Sequence, residues 1–388
     1  MTKASSRLFI FAGEKSGDLH GSYLVKALKT LCPSILIEGV AGPKMRDSGV
    51  IDGVVNGIRM ENFEVMGFSD VICALPRLCR YFYQVRNYIL LKQPQAVVLI
   101  DYPGFNLRLA KALRKKGYKG KIIQYVSPSV WAWGKHRIEG MANTLDLLLT
   151  IYPFEAECFA GTHLKVEYVG NPLCEYIKEY QYHRDWKQSV GISSTASLVA
   201  LFPGSRRGEI ERNLPLLLET AALIKQRYPD IVFGISCVDS SLMSQAGFDE
   251  SFVSVPREYT YELIRDSRTA IAKGGTITLE LALQGCPTAV FYKVTRLNRF
   301  YAKYILKVRL AYFCIVNIIA NKEVFPELIV REVTPSCLAA DFFRLHVDGE
   351  ERARCLAGCH DVRELLEGHD SSIAAATAIK MEIECVSV

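Results

Sequence analysis

Residues 198–212 read LVALFPGSRRGEIER. Leu198–Phe202 is an unbroken apolar run, which predicts a strand buried on both faces, as in a parallel sheet. Pro203 and Gly204 end it, and a helix is expected over Glu209–Tyr228. The same order opens the chain. Leu8–Ala12 is a strand, Gly13-Glu14-Lys15-Ser16-Gly17-Asp18 a glycine-bearing loop, and Asp18–Leu31 a helix. One such opening predicts a doubly wound unit, and two predict two of them.

The remaining segments fill both units in. In the first, strands are expected at Ile35–Val40, Ala96–Asp101, Lys121–Val126, Leu145–Thr150 and Val166–Val169. Helices are expected at Val71–Leu91 and Asn106–Gly117. A polar stretch, Lys178–Ser197, reads as the connection between domains. In the second unit, strands Ile231–Cys237, Thr269–Ala272 and Thr288–Tyr292 alternate with helices Glu258–Asp266 and Thr276–Gln284. A last helix, Ile373–Cys385, is rich in small residues and suits a return to the first domain. The expected fold class is therefore α/β, with two Rossmann-like domains facing across a cleft. Residues 1–177 form the first domain, 178–360 the second, and 361–388 hold C-terminal helices that pack back on the first.

Composition narrows the function. The chain has 388 residues, 49% hydrophobic and 23% charged, ordinary for a globular protein with a full core. A net charge of +6 suits an anionic substrate or membrane surface, and no nucleic-acid-binding signature accompanies it. The 12 cysteines are scattered, and Cys355, Cys359 and His360 lack a fourth ligand, so no metal site is expected. Scattered thiols without a secretory segment fit a reducing cytoplasm. No apolar run reaches the eighteen or so residues that a membrane-spanning helix needs.

Ligands of open α/β sheets bind beyond the C-terminal ends of the strands, so chemistry is sought in the strand-to-helix loops. Four loops stand out. Gly13–Asp18 lets backbone approach a ligand, though Asp18 could equally be a helix N-cap. Asp101 ends an otherwise apolar strand, where a carboxylate can accept a proton from a hydroxyl or simply cap the next helix. Pro203-Gly204-Ser205-Arg206 brings free backbone N–H groups and an arginine to one helix start, a phosphate-binding combination. Lys273-Gly274-Gly275-Thr276 repeats it, and Glu280 falls one turn past Thr276, placed to accept hydrogen bonds from a ribose diol. Two phosphate-type loops in one domain are stronger than either alone.

Two helices are amphipathic. Val71–Leu91 lines up Val71, Leu75, Leu78 and Phe82 on its apolar side, with Arg77 and Arg80 opposite. Arg296–Arg309 flanks Leu297, Phe300, Tyr301 and Tyr304 with basic residues. Such helices lie on anionic membranes, or face a core with a solvated back.

Together the motifs are specific. AGEKSGDLHG (12–21), MENFEVMG (60–67), DYPGFNLRLAK (101–111), YVSPSVWAW (125–133), PFEAECF (153–159), VGNPL (169–173), FPGSRRGEIER (202–212) and GGTITLELALQGCP (274–287) follow in that order. Over nearly its whole length the chain resembles the lipid-A-disaccharide synthase family. The resemblance implies a GT-B fold and inverting transfer of 2,3-diacylglucosamine from UDP to 2,3-diacylglucosamine 1-phosphate, forming a β-1,6 bond. It implies no metal or other cofactor, acylated substrates, and a peripheral place on the cytoplasmic face of the bacterial inner membrane, with a homodimer left open.

By the same resemblance, Asp101 is the general base and Arg206 stabilises the UDP diphosphate. Gly204, Ser205, Gly275, Thr276 and Glu280 bind the donor nucleotide. Glu14, Ser16, Asp18 and Asn317 lie on the acceptor side. Val71, Leu75, Leu78 and Phe82 contact the membrane. The chain departs from the family pattern at three positions. Gly104 stands where D-x-P-D-F-N has its second acid, Lys15 adds charge on the acceptor side, and Asn171 replaces a histidine of V-G-H-P. Other GT-B enzymes, a peptidoglycan glucosaminyltransferase or a UDP-sugar 2-epimerase, are the alternatives, and an inactive nucleotide- or lipid-binding module is the non-enzymatic one. The basic apolar helix at Val71–Leu91 argues against the epimerase.

Overall fold

The computed structural model describes residues 6–63, 68–236, 251–293, 311–329, 333–368 and 370–384. The chain divides into two units, Met1–Glu175 with Gly368–Val388, and Tyr176–Glu367. Each is built on a parallel sheet.

The first sheet comprises β1 (Arg7–Ala12), β2 (Leu36–Val40), β3 (Ile51–Asp52), β4 (Ala96–Ile100), β5 (Lys121–Tyr125), β6 (Leu147–Thr150) and β7 (Lys165–Tyr168). Its spatial order is β3-β2-β1-β4-β5-β6-β7. The chain winds outward from β1 in one direction and from β4 in the other, so the topological switch point lies between these two strands. Apart from Arg7 at the start of β1, both are apolar because both faces are covered. Leu8, Ile10 and Ala12 face a core closed by α1 (Lys15–Leu31) and the C-terminal helix Ser371–Glu384. Phe9 and Phe11 face the opposite core, where α3 (Phe68–Lys92) and α4 (Pro103–Lys115) pack. A short α2 (Pro43–Asp47) lies between β2 and β3, and α5 (Ile138–Ala142) between β5 and β6.

The C-terminal helix belongs to the first unit. Ala375, Ala376, Ile379 and Ile383 join its core. Glu382 pairs with Lys121 at 2.9 Å and Lys165 at 3.1 Å. Ser371 and Ser372 hydrogen-bond the Glu175 carboxylate. The crossing back comes at Gly368 rather than at 361, because the helix Glu350–Leu366 packs within the second unit.

Two short helices, α6 (Pro172–Glu179) and α7 (Trp186–Ser189), lead into the second sheet. It comprises β8 (Ser197–Phe202), β9 (Ile231–Ser236), β10 (Phe252–Val255), β11 (Thr269–Lys273), β12 (Thr288–Tyr292) and β13 (Glu327–Ile329), ordered β10-β9-β8-β11-β12-β13. Here the switch point falls between β8 and β11. The long helix α8 (Arg207–Arg227) follows β8, and the helix Ile277–Leu283 follows β11. No helix among the described residues is long and apolar enough to cross a membrane.

Candidate active site

Both switch points carry loops singled out in the sequence. In the first unit Ala12 pairs in register with Ile100, so the loop from Gly13 and the residue Asp101 leave the sheet side by side. A Cβ on Gly13 would lie 2.6 Å from the Tyr102 ring, so only glycine lets the loop approach this closely. Ser16 donates to Asp101 Oδ2 at 3.3 Å. The Glu14 carboxyl lies beside that of Asp101. Burial pushes the Asp101 carboxyl above its ordinary range, against the opposing pull of Ser16, Glu14 and the Tyr102 backbone.

The backbone that presents this group is strained. Asp101 and Tyr102 have φ of 49° and 42°, and Val126, at the end of neighbouring β5, has φ of 69°. Non-glycine residues rarely adopt the left-handed region, and a β-branched one there is an outlier. Two buried amides hold the strained turn. Asn106 Nδ2 donates to the Asp101 carbonyl at 2.5 Å and Gln124 Nε2 at 3.0 Å. Strain held by such over-determined contacts gathers where a side chain must be aimed.

A second buried carboxyl lies behind. Glu155 is 1% exposed, and its Oε2 accepts from the backbone of Ile151 and Tyr152 at 3.2 and 3.1 Å. Burial pushes it up to about 8, despite those amides and the Trp131 indole N–H beside it. Tyr152 hydroxyl acidity is weakened first by burial, then by the charges of Glu155 and Asp101.

In the second unit Phe202 pairs with Ala272, which places the two glycine-bearing loops side by side. Gly204 has φ of 126°, and Arg206 is the N-cap of the 21-residue α8, with no side chain filling the cap. The first amides of α8 therefore point outward beside the exposed Arg206. Glu209 ties the loops together. Its Oε2 accepts from Ser205 N at 3.3 Å, and its Oε1 pairs with Lys273 at 3.2 Å. Burial raises the Glu209 pKa, but Lys273, Ser205 and Arg206 outweigh it and hold the group below its usual range. Gly274 is compelled by Tyr292, whose ring would lie 2.0 Å from a Cβ there, whereas Gly275 and Thr276 are exposed. Glu280 hydrogen-bonds Tyr261, and burial pushes its carboxyl up.

The structure thus gathers Glu14, Ser16 and Asp101 in one unit, and Gly204, Ser205, Arg206, Gly275, Thr276 and Glu280 at the switch point of the other. Two expected site residues fall elsewhere. Asp18 is 3% exposed and does not begin α1, whose N-cap is Glu14. Its oxygens accept from Lys44 N and Met45 N at 3.0 Å each, so it caps α2. Asn317 belongs to the second unit and is fully buried. Its oxygen accepts from Val324 N and Phe325 N at 2.9 Å, and its amide donates to the Phe325 carbonyl at 2.8 Å. Both polar ends of that side chain are committed to the loop.

The residues expected to contact a membrane also separate. Leu78 and Phe82 pack on the core, and Phe82 meets Phe105 edge-on at 5.4 Å. Leu75 is 53% exposed beside exposed Arg77 and Arg80. Val71 lies within α3, but its side chain is outside the described residues, as is the whole of Arg296–Arg309. Cys355 and Cys359 are buried, whereas His360 pairs with Glu364 on the surface. Gln124, Glu155, Glu209 and Tyr261 carried no signal in the sequence that marked them for a role.

Two parallel doubly wound units, each with ligand-type loops at its switch point, define the GT-B class. Solved structures agree. S. aureus MnaA in its UDP co-structure aligns with a TM-score of 0.68 at 12% identity, covering 99% of this chain and 98% of that one. The glycotransferase of kitacinnamycin aligns at 0.63 and 13%, covering 98% and 100%. At that identity the likeness is one of fold. The family described as lipid-A-disaccharide synthetase matches residues 8–381. The lipid-A-disaccharide synthase of Geobacter sulfurreducens is 34% identical over 369 residues, 93% of each chain. That of Chlamydia pneumoniae is 40% identical over 328 residues, 83% of this chain. The chain spans about half the length of the Chlamydia relatives, 53% and 52% for two of them. The chain belongs to the lipid-A-disaccharide synthase family.

Proposed function

We propose that the chain condenses UDP-2,3-diacylglucosamine with 2,3-diacylglucosamine 1-phosphate, releasing UDP and forming the β-1,6-linked disaccharide 1-phosphate. The observation that carries this reading is the Asp101 carboxyl, half-buried at a strained switch point and raised above its ordinary range. A carboxylate so raised is a better match for taking a proton from a sugar hydroxyl near neutral pH. Asp101 removes the proton of the acceptor 6-hydroxyl as the oxygen attacks the anomeric carbon, and Ser16 orients the carboxylate. The bond to the UDP oxygen breaks on the opposite face, which inverts the configuration.

Charge then develops on the diphosphate. The outward amides of α8 and the Arg206 guanidinium supply positive potential for it. Glu209 acts indirectly, by fixing the two loops against each other. Glu280 accepts from the ribose hydroxyls. No metal or cofactor enters this reading. Leu75, with Arg77 and Arg80, brings the first unit to an anionic membrane surface where both acylated substrates reside. Incubating the protein with both substrates and following disaccharide and UDP by mass spectrometry tests it. Failure to form the disaccharide beside an active control enzyme would overturn it.

A further inference from the structure

The first unit carries an open groove of roughly 480 Å³ that the group around Asp101 does not use. One wall is α4. Gly104, Arg108 and Lys111 follow one another at helical spacing and share a face. The other wall is the segment ending in α5, where His136 and Arg137 stand. Leu107 and Met141 give the groove apolar surface, and none of the residues lining it is acidic. Arg108, Lys111 and His136 are exposed, and none makes a hydrogen bond or ion pair among the described residues.

Positive charges converging in a groove with no acidic lining residue repel one another, and an anion between them relieves that repulsion. The N-terminal end of α4, at the groove's mouth, adds to the same potential. Position 104 bears on the charge at the groove's mouth. A Cβ there would meet nothing within 4 Å, so any side chain would project into open space. Glycine places no charge of its own at the mouth. The groove begins at Pro103, two residues beyond Asp101 and at the same end of β4.

We propose that this groove binds the phosphate of an amphiphilic phosphomonoester, with Arg108, Lys111 and Arg137 on the phosphate oxygens and Leu107 and Met141 against its apolar part. Resting on the reading above, that phosphate is the acceptor's anomeric phosphate. It anchors one end of the glucosamine ring, so that the 6-hydroxyl at the other end reaches Asp101. Lys15, the first residue of α1, does not line the groove.

The test uses the double variant Arg108→Ala/Lys111→Ala and the single variant Gly104→Asp. Steady-state kinetics at saturating donor compare the acceptor with an analogue lacking its 1-phosphate, in detergent micelles. Cosedimentation with phosphatidylglycerol vesicles runs in parallel. Each lost charge-assisted contact is expected to raise KM for the phosphorylated acceptor roughly tenfold. KM for the dephosphorylated analogue, kcat and vesicle binding stay as in the wild type, and Gly104→Asp shifts KM in the same direction. Equal effects on both acceptors with loss of vesicle binding would show that the phosphate belongs to a bilayer lipid, and overturn the acceptor assignment. Unchanged KM and vesicle binding would overturn the site itself. Calorimetric titration with glucosamine 1-phosphate separates the groove from the activity. The wild type is expected to bind it and the double variant not to, and a wild type that binds none at millimolar concentration contradicts the proposal whether or not disaccharide forms.

Discussion

Replacing Glu155 by glutamine isolates a quantity that the fold makes measurable. The carboxyl is 1% exposed, and burial holds its pKa at about 8 in the folded chain, against an ordinary 4.5. A folded pKa above the unfolded one means that the unfolded chain releases this proton first as pH rises. Stability is therefore greatest below the unfolded value and declines until the folded group ionises too. Each pH unit over which only the unfolded chain is ionised costs about 1.36 kcal/mol, so the loss between pH 5 and 8 is on the order of 3 kcal/mol. For a folded unit of this size each kcal/mol moves Tm by roughly 2–4 °C. Glutamine keeps an acceptor for the Ile151 and Tyr152 amides but cannot ionise. Differential scanning calorimetry of both proteins at pH 5, 6, 7 and 8 gives the difference in Tm, variant minus wild type. That difference should rise by several degrees across the range, while any packing cost of the amide adds only a constant offset. A difference flat with pH would refute the reasoning, because Glu155 would then ionise alike in folded and unfolded chains.

Three further outcomes follow from the same geometry. Because Asp101 is raised by burial and lies beside Glu14, kcat/KM should fall with acid at an apparent pKa above the usual carboxylate range, and a pH–rate profile reads that limb as a property of the pair. Gly274→Ala should lower the melting temperature of the second unit and weaken UDP binding in calorimetry, since its Cβ would strike the Tyr292 ring, whereas Gly275→Ala, with nothing within 4 Å, should leave Tm unchanged. Glu209→Gln removes the charge that pairs with Lys273 and should raise the donor KM roughly tenfold with little change in the acceptor KM, measured by varying each substrate in turn.

The strands were legible because β1, β4 and β8 hold apolar runs, Leu8–Ala12, Ala96–Ile100 and Leu198–Phe202, that suit a doubly covered sheet. The strand-to-helix loops that follow them were legible too, with Asp101 and Arg206 in them, but the sheet order that sets the switch points was not. Strands β3, β10 and β13 have two to four residues, too few to carry a pattern. Asp18 looked like a loop acid because its partners, Lys44 and Met45, lie 26 and 27 residues further on. Asn317 looked like a cleft residue, yet its amide serves a loop eight residues away. The apolar stripe of α3 has the same period whether it meets a core or a membrane, so the sequence could not tell Leu78 and Phe82 from Leu75. Glu209 resembled an ordinary residue of a helix's first turn, and its bridge to Lys273 exists only once β8 and β11 pair.

The central claim is that Asp101 activates the acceptor of a disaccharide-forming transfer. The direct measurement is the initial rate of disaccharide formation by the wild type and by Asp101→Asn, with UDP affinity of both proteins determined alongside. The account predicts product from the wild type, a kcat lowered roughly 10²–10⁴-fold in the variant, and equal UDP affinity. Near-native turnover by Asp101→Asn, or no disaccharide from the wild type, would contradict it.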